Sequence, residues 1–421
     1  MKKIILSLGA ILGVTATALS LSSCGDSKAT LKDLDGNDLV VEKTKDEEAV
    51  SKALVAVANS YSNNAKNIYS IGVDIKNATE SNMNYNYTTI ESSSEVSGVA
   101  KLTIGKNNYV DYKDKILNNT LTDDDIANAK ESLKSNIDFE AELNSKTNSK
   151  ALVNAEKLKD YYREMGINVS NISLTDQETK IDVDINLKAF LDNGDLYAEA
   201  DSKSGSVVTS TTNETKQDIV VKDIFDSIPA AEVSTALNTF KSSSLFDMIF
   251  EYANVSFDTS ILTSAEFYDS EAYTMIKAYV KELEIEITNT ANNEITFDAK
   301  VKGNSFKAIE NMFINLIGND YASSSQVIDF EGIDDDQEIG NFSLTYSVET
   351  GFVKKVSTKV DLGSCTSTLD SVEISKYKTS AETSYIYNDD VKFNLNKDSS
   401  KTYNETDLST IIGSIISSLG N

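Results

Sequence analysis

The sequence predicts an α+β fold in which a curved antiparallel sheet, or more than one, is covered on one face by helices, as in a half-barrel. Two observations predict this class. Polar and apolar residues alternate strictly in several stretches, such as KIDVDINL at 180–187. This alternation is typical of a strand with one solvent-exposed and one buried face. Apolar residues at helical spacing lie between groups of such strands, and helices of this kind need a sheet face to cover.

The first long element is a predicted helix over 46–64. Val50, Leu54, Val57 and Tyr61 recur at the spacing of one helix face. The acidic residues at its start suit the positive end of the helix dipole. After this helix, alternation predicts strands at 69–75, 85–89, 99–104 and 109–112.

Both kinds of element continue along the chain. A helix is predicted at 123–133, where three acids follow Thr122, and another at 151–165, which Gly166 ends. Apolar periodicity predicts two more helices, at 233–250 and 306–317. Further strands are predicted at 180–187, 282–287, 295–301, 342–348, 372–374 and 391–395.

The last segment carries a stripe of six aliphatic residues at helical spacing between Leu408 and Leu419. It is too short to span a bilayer, and it lacks the basic flank of an interfacial helix. We therefore expect it to pack against the body of the protein. The alternative is a free helix that is available to a partner or a membrane.

The N-terminus has the features of a secretory signal. Lys2 and Lys3 precede a run of apolar and small residues that contains no charge before Asp26. This run is broken by Gly, Thr and Ser, and no basic residues follow it directly, so a membrane span is not the favoured interpretation. We expect residues 1–23 to be removed.

The sequence LSSC at 21–24 resembles the lipobox of bacterial lipoproteins, in which an aliphatic residue and two small ones precede a cysteine. The resemblance implies that Cys24 receives a diacylglyceryl group, with palmitate-type acyl chains, before cleavage in front of it. Two acyl chains form a durable anchor, so we expect the protein on the cell membrane, lipid-anchored on the extracytoplasmic face. The predicted organisation is a signal peptide at 1–23, a lipidated N-terminus and tether at 24–44, and an α+β body at 45–421, with two units dividing near residue 228 as the alternative.

The chain is strongly acidic, with a formal net charge of −27. Without residues 1–23 it has 37 Lys plus Arg against 66 Asp plus Glu, which gives −29. A surface of this charge repels phosphate backbones and anionic lipid heads. Nucleic acid is therefore not expected as a partner, and a polybasic contact with the membrane is not expected either.

The residue types needed for common catalytic and metal sites are scarce. The sequence contains no His, which excludes Ser-His-Asp and Cys-His sites and imidazole metal ligands, and its glycine spacing excludes the nucleotide-binding fingerprints. Ser375 and Lys378 form a Ser-x-x-Lys in a strand-like stretch rather than at a helix start.

The acidic loop at 329–338 lacks calcium-loop spacing, and Cys365 has no partner for an intrachain disulfide once Cys24 is lipidated. We predict a protein that is not an enzyme and that uses no cofactor and no metal.

The order of elements is similar to that of bacterial lipoproteins of the Lol-carrier and mycobacterial lipid-carrier type. The similar parts are the lipobox, the helix at 46–64 that leads into strands, and the closing hairpins at 342–395. The resemblance implies a sheet cupped around an apolar cavity that holds acyl chains, and it carries over no functional residue. The leading hypothesis is therefore an anchored protein that binds or carries an apolar or amphiphilic ligand. The rival hypothesis is a surface interaction lipoprotein of the adhesin type without a ligand cavity, and a third is a hydrolase that uses carboxylates or a Ser/Lys pair.

Overall fold

The computed structural model describes most of the body of the chain. The described residues are 28–65, 68–104, 115, 118, 120, 122–125, 127–128, 137–170, 172–206, 211–224, 265–304, 330–367 and 372–407. Cys24, the division near 228, the strand at 109–112 and the apolar segments at 233–250, 306–317 and 408–419 lie outside them and stay predictions.

The helices begin at side chains that satisfy their first backbone N–H groups. These helices are α1 (Glu47–Ala65), α2 (Ala155–Glu164) and α3 (Glu271–Glu282). The Asp46 carboxylate accepts a hydrogen bond from the backbone N–H of Ala49 at 2.9 Å, and Asn154 and Ser270 cap α2 and α3 in the same way. The position of the caps fixes where each helix starts, and α1 confirms the helix predicted over 46–64.

Strands make up the larger part of the described structure, which confirms that the protein is rich in β-structure. The strands are β1 (Ala29–Lys32), β2 (Asp38–Val41), β3 (Ser70–Tyr85), β4 (Thr88–Ile104), β5 (Ile137–Val153), β6 (Gln177–Asp192), β7 (Asp195–Ser206), β8 (Thr211–Val221), β9 (Glu286–Asn289), β10 (Glu294–Lys302), β11 (Phe330–Glu331), β12 (Glu338–Ser347), β13 (Phe352–Asp361), β14 (Cys365–Ser367), β15 (Val372–Tyr387) and β16 (Asn404–Glu405).

Within the described residues, all strands but the β1–β2 hairpin belong to one 14-stranded sheet. Its order is β16-β8-β7-β6-β5-β4-β3-β15-β13-β12-β10-β9, with β14 beside β15 and β11 beside β14. Strands β3 to β8 follow one another as an antiparallel meander, the simplest arrangement for chain neighbours. As far as the described strands show, the sheet is open and is not closed into a barrel.

The main core lies between α1 and one face of β9, β10 and β12. Val50 and Ala53 of α1 are buried against Ile295 and Phe297 of β10 and Tyr346 of β12. The β1–β2 hairpin and α3 complete this core. Burial of these apolar side chains is the main stabilising contribution at this end of the molecule.

Three predicted boundaries are wrong, each for a local reason. The strand predicted at 85–89 is a hairpin, because residues 86 and 87 form the turn between β3 and β4. The helix predicted at 151–165 starts only at Ala155, because β5 extends to Val153 and Asn154 supplies the cap. The strand predicted at 282–287 begins at Glu286, because helix α3, which was not predicted, runs through Glu282.

The segment 391–395 is also not a strand. Its alternation is real, since Val391 is buried and Leu395 packs against an apolar cluster. However, the backbone N–H groups of Asn394 and Leu395 donate to the side chain of Glu140 instead of to a neighbouring strand. A carboxylate oxygen accepts the hydrogen bonds that the backbone of a neighbouring strand would otherwise accept.

Candidate functional site: an uncharged face of the sheet

Strands β3 to β8 sort their side chains into two contrasting faces. Residues directly opposite each other on paired strands point to the same side, so the register defines each face. Ile75 lies opposite Gly98, Gly98 opposite Leu143, and Leu143 opposite Leu187, which in turn lies opposite Ala200. The side that contains this row is called the uncharged face.

No residue of the uncharged face in β3 to β8 carries a charge. Its residues include Ile71, Val73, Ile75, Asn77, Thr79, Ser81 and Met83 in β3; Ile90, Ser92, Ser94, Val96, Gly98, Ala100 and Leu102 in β4; Phe139, Ala141, Leu143, Ser145, Thr147, Ser149 and Ala151 in β5; Thr179, Ile181, Val183, Ile185, Leu187, Ala189 and Leu191 in β6; Leu196, Ala198, Ala200, Ser202, Ser204 and Ser206 in β7; and Asn213, Thr215, Gln217, Ile219 and Val221 in β8.

Several apolar side chains of this face are exposed to solvent. The exposed fraction is 42% for Ile75, 40% for Leu143, 46% for Ile181 and 40% for Leu187. The predicted alternation of β6 is therefore confirmed, but the aliphatic side of that strand is not fully buried. Exposed aliphatic side chains on one face make that face a candidate interaction or ligand surface.

Hydroxyl groups occupy the middle of the uncharged face and are paired with each other. The hydroxyl oxygens of Ser81 and Ser92 lie 2.7 Å apart across β3 and β4. Those of Ser94 and Thr147 lie 3.1 Å apart across β4 and β5. These pairs satisfy polar atoms without introducing charge. The face thus combines aliphatic rows with weakly polar rows, and it can contact both parts of an amphiphilic molecule.

The opposite face carries the charges and is called the charged face. One cross-strand row on it reads Glu95, Lys146, Asp184, Lys203 and Glu214, so the sign alternates from strand to strand. Ion pairs form along this row, for example Lys203 with Glu214 at 2.9 Å. Opposite charges on neighbouring strands stabilise the pairing, whereas like charges would oppose it.

Two shallow grooves of about 440 and 500 Å³ lie on the charged face. Charged and amide side chains line both grooves, together with Ile339 and Val360 in the second, and Glu80, which borders both grooves, pairs with Lys376. An apolar molecule placed there would desolvate charges without compensation. The charged face is therefore a poor site for the predicted ligand.

One corner of the charged face is apolar and is covered by the segment 391–405, here called the strap. Phe190, Tyr197 and Val220 form this corner, and Leu395 and Tyr403 of the strap pack on it. The rings of Tyr197 and Tyr403 meet edge to face at 4.9 Å. The apolar residues at this corner of the charged face are therefore covered by the strap of the same chain.

A buried ion pair fixes the strap to the sheet. Lys101 Nζ donates to Glu140 Oε1 at 2.5 Å, and the two side chains are only 9% and 6% exposed. Glu140 Oε2 also accepts from the backbone N–H groups of Asn394 and Leu395 at 2.6 and 2.8 Å, and Lys101 donates to the carbonyl of Lys392. Both carboxylate oxygens of Glu140 and the ammonium of Lys101 therefore have hydrogen-bond partners, as a buried ion pair requires.

The pKa of Glu140 lies below its usual value. Burial by itself raises this pKa, but hydrogen bonds from Lys101 and from the backbone N–H groups of Leu395 and Asn394 favour the ionised form more strongly. Sequence reasoning missed this pair because its members are far apart in the chain. The signal in the sequence that could have indicated the pair is the presence of Lys101 and Glu140 on strands that also carry apolar residues.

Ser375 and Lys378, the two residues of the Ser-x-x-Lys match, make separate contacts. Ser375 Oγ donates to the carbonyl of Asn82 at 3.2 Å, whereas Lys378 pairs with Asp361 at 2.5 Å. The two side chains are thus engaged with different groups. Cys365 is buried, and burial raises the pKa of its thiol to about 11.

The part of the chain that the structure describes contains no cluster of three or more acidic or cysteine side chains able to hold a metal. Asp334, Asp335 and Asp336 of the acidic loop are exposed to solvent. Among the same residues, no helix has the length and apolar character that crossing a membrane requires.

Comparison of the chain with protein-family models, with curated proteins and with solved structures finds no match. The uncharged face is accordingly interpreted from its own chemistry.

Proposed function

We propose that this protein is a membrane-anchored lipoprotein that binds or carries an apolar or amphiphilic ligand at the cell surface, on the uncharged face. The proposal includes a lipid at Cys24 and a binding rather than a catalytic role. The observation that supports it is the absence of charge from one face of β3 to β8, combined with exposed aliphatic side chains there.

The chemistry of the face favours a ligand with an uncharged surface. Apolar area removed from water contributes roughly 25 cal/mol per Å², and no charge on this face would have to be desolvated. The net charge of −27 disfavours a strongly anionic headgroup. An acyl chain with a neutral polar group therefore fits best.

The position of α1 supports a helix-covered sheet as part of this proposal. Following the register from Ile75 through Thr383, Val356 and Leu344 leads to Phe297, which packs under α1. The helix thus covers the same side of the sheet as the uncharged face. We infer a half-barrel that is covered by helices over β9, β10, β12 and β13 and offers its uncharged face over β3 to β8.

The anchor is tested by replacing the lipid acceptor. Cys24→Ser is expected to release the protein from the membrane fraction of the producing cell, as a secreted or unprocessed form, because residue 24 would no longer carry a thiol that can be acylated. The wild-type chain is the control. Equal membrane association of both proteins would overturn the anchor while leaving ligand binding open.

The ligand site is tested by placing a negative charge on either face of the sheet. A fluorescent fatty-acid analogue is titrated into the full chain and into Leu143→Asp and Leu187→Asp, which add a carboxylate to the uncharged face. The control is Ser97→Asp, which adds the same charge to the exposed charged face of β4, opposite Lys76 and Asn144.

We expect saturable binding to wild type and control, a gain in thermal stability on binding, and at least a tenfold loss of affinity in the two leucine variants. Absence of saturable binding to the wild type would favour the adhesin-type surface interaction over a ligand site. Equal affinity in all variants would place the ligand elsewhere than on the uncharged face.

A further inference from the structure

Strand β8 has an outer edge that the described chain covers only at one end. Strand β16 pairs with Ile219 and Val220 of β8. Before these residues, from Thr212 to Asp218, no strand in the described ranges lies on the outer side of β8. Such an edge presents a row of backbone donors and acceptors that can pair with another strand.

The backbone groups that face outward can be identified from one hydrogen bond. The N–H of Thr406 donates to the carbonyl of Val220 at 3.0 Å, so Val220 directs its backbone groups away from β7. Backbone direction alternates along a strand. Thr212, Glu214, Lys216 and Asp218 therefore also direct their N–H and C=O groups outward.

The side chains at this edge carry charges of opposite sign. Glu214 ends the alternating row that begins at Glu95, and Lys216, two residues further on, pairs with Asp201 at 3.1 Å. Both Glu214 and Lys216 are exposed. Edge strands often avoid pairing by means of charged side chains, especially Lys, or proline. An edge with one acid and one base two residues apart, however, can complement itself when it meets a second copy in antiparallel register.

We propose that β8 pairs antiparallel with β8 of a second copy of this chain, around a twofold axis at Thr215. In this register Glu214 lies opposite Lys216 of the second copy, and Lys216 lies opposite its Glu214. The alternation of charge then continues across the contact, with Lys203, Glu214, Lys216 and Asp201 in succession. The outward-facing residues are the ones that pair by hydrogen bonds, as an antiparallel ladder requires.

Neighbouring registers are unfavourable. A shift that centres the contact on Glu214 places two glutamates opposite each other, and one that centres it on Lys216 places two lysines opposite each other, which is destabilising. A contact centred on Gln217 would extend onto Val220, whose outer side β16 already occupies. The charges and β16 together select the register at Thr215.

The proposed contact also extends the uncharged face. Asn213, Thr215 and Gln217 lie on that face of β8, and opposite residues of an antiparallel pair point to the same side. The two copies would therefore present one continuous uncharged face. The contact itself does not depend on a bound ligand.

Register-specific disulfides test the proposal. Residues 215 of the two copies form a non-hydrogen-bonded pair, with Cα atoms about 4.5 Å apart, a distance that a disulfide can span. With copper phenanthroline and air as oxidant, the full chain with Thr215→Cys is expected to form covalent dimers. Asn213→Cys or Gln217→Cys alone should remain at the background of the wild type, but an equal mixture of these two variants should cross-link.

A second measurement follows the contact without cysteines. Lys216→Pro removes an outward N–H and leaves the β7–β8 ladder intact, a position where an edge strand tolerates proline. Sedimentation velocity of the full chain is expected to show a dimer for the wild type and a monomer for this variant, with unchanged circular dichroism. A monomeric wild type at all concentrations, or equal cross-linking of the three single-cysteine variants, would overturn the proposal.

Discussion

Removal of the charge on Glu140 is expected to destabilise the protein strongly, because this residue holds both Lys101 and the strap. Glu140→Gln keeps the size and one acceptor oxygen but leaves the Lys101 ammonium buried without a counter-ion. Breaking a buried pair from one side destabilises by about 3–5 kcal/mol. Since the amide oxygen of Gln can still accept from the backbone of Asn394 or Leu395, we expect about 3 kcal/mol.

The free energy of unfolding is measured by urea denaturation at pH 7, followed by circular dichroism because the chain has no Trp. With an m value of about 3 kcal/mol/M, the expected loss lowers the urea midpoint by about 1 M. Asp184→Asn is the control, since it removes one member of an exposed pair with Lys146, for which a loss of about 0.2–1 kcal/mol is expected.

The effect of Glu140→Gln is also expected to depend on pH. The pKa of Glu140 is lowered in the folded protein from its ordinary value of 4.5, so the pair contributes fully above about pH 4.5 and loses its contribution as the pH falls through the folded-state pKa. The difference between wild type and variant should therefore be largest at neutral pH and shrink in acid.

Hydrogen exchange provides the local measurement. Faster exchange of the Asn394 and Leu395 amides in Glu140→Gln would show that the strap has loosened. If the variant has the same urea midpoint as the wild type and these amides stay protected, then the buried pair does not hold the strap and the argument is wrong.

Three further predictions concern packing, thiol reactivity and backbone conformation. Phe297→Ala, in the core beneath α1, is expected to destabilise by about 3–5 kcal/mol in urea denaturation, whereas Ile181→Ala at an exposed position should change stability by about 0.5 kcal/mol or less; equal effects would contradict the assigned burial. Because burial raises the pKa of Cys365 to about 11, its thiol should react with iodoacetamide at pH 8 only when the protein unfolds, and rapid labelling of the folded protein would refute this. Gly351→Ala should lower the melting temperature more than Gly166→Ala, because both glycines have positive φ but only at Gly351 would a Cβ collide with the side chain of Asn64; equal melting temperatures would show that the collision is relieved.

The sequence alone determined the two sides of the individual strands. Side-chain direction alternates with a period of two regardless of the neighbouring strand, so the pattern of β6 already places Ile181 and Leu187 on one side and the charges on the other. Local signals likewise predicted α1, whose acidic start and apolar periodicity need no distant partner. Cys24 and its lipid stay predictions from the sequence.

Only the tertiary structure decided how these sides are combined. Whether the uncharged sides of six strands align into one face depends on their register, and register depends on turns and pairings that no single strand encodes. The same holds for Glu140 and Asn394, which are separated by 254 residues and meet because the meander and β15 bring them together. The segment 391–395 shows the limit of local patterns, because its alternation reflects burial against the sheet, while its backbone bonds to a side chain that lies far away in the sequence.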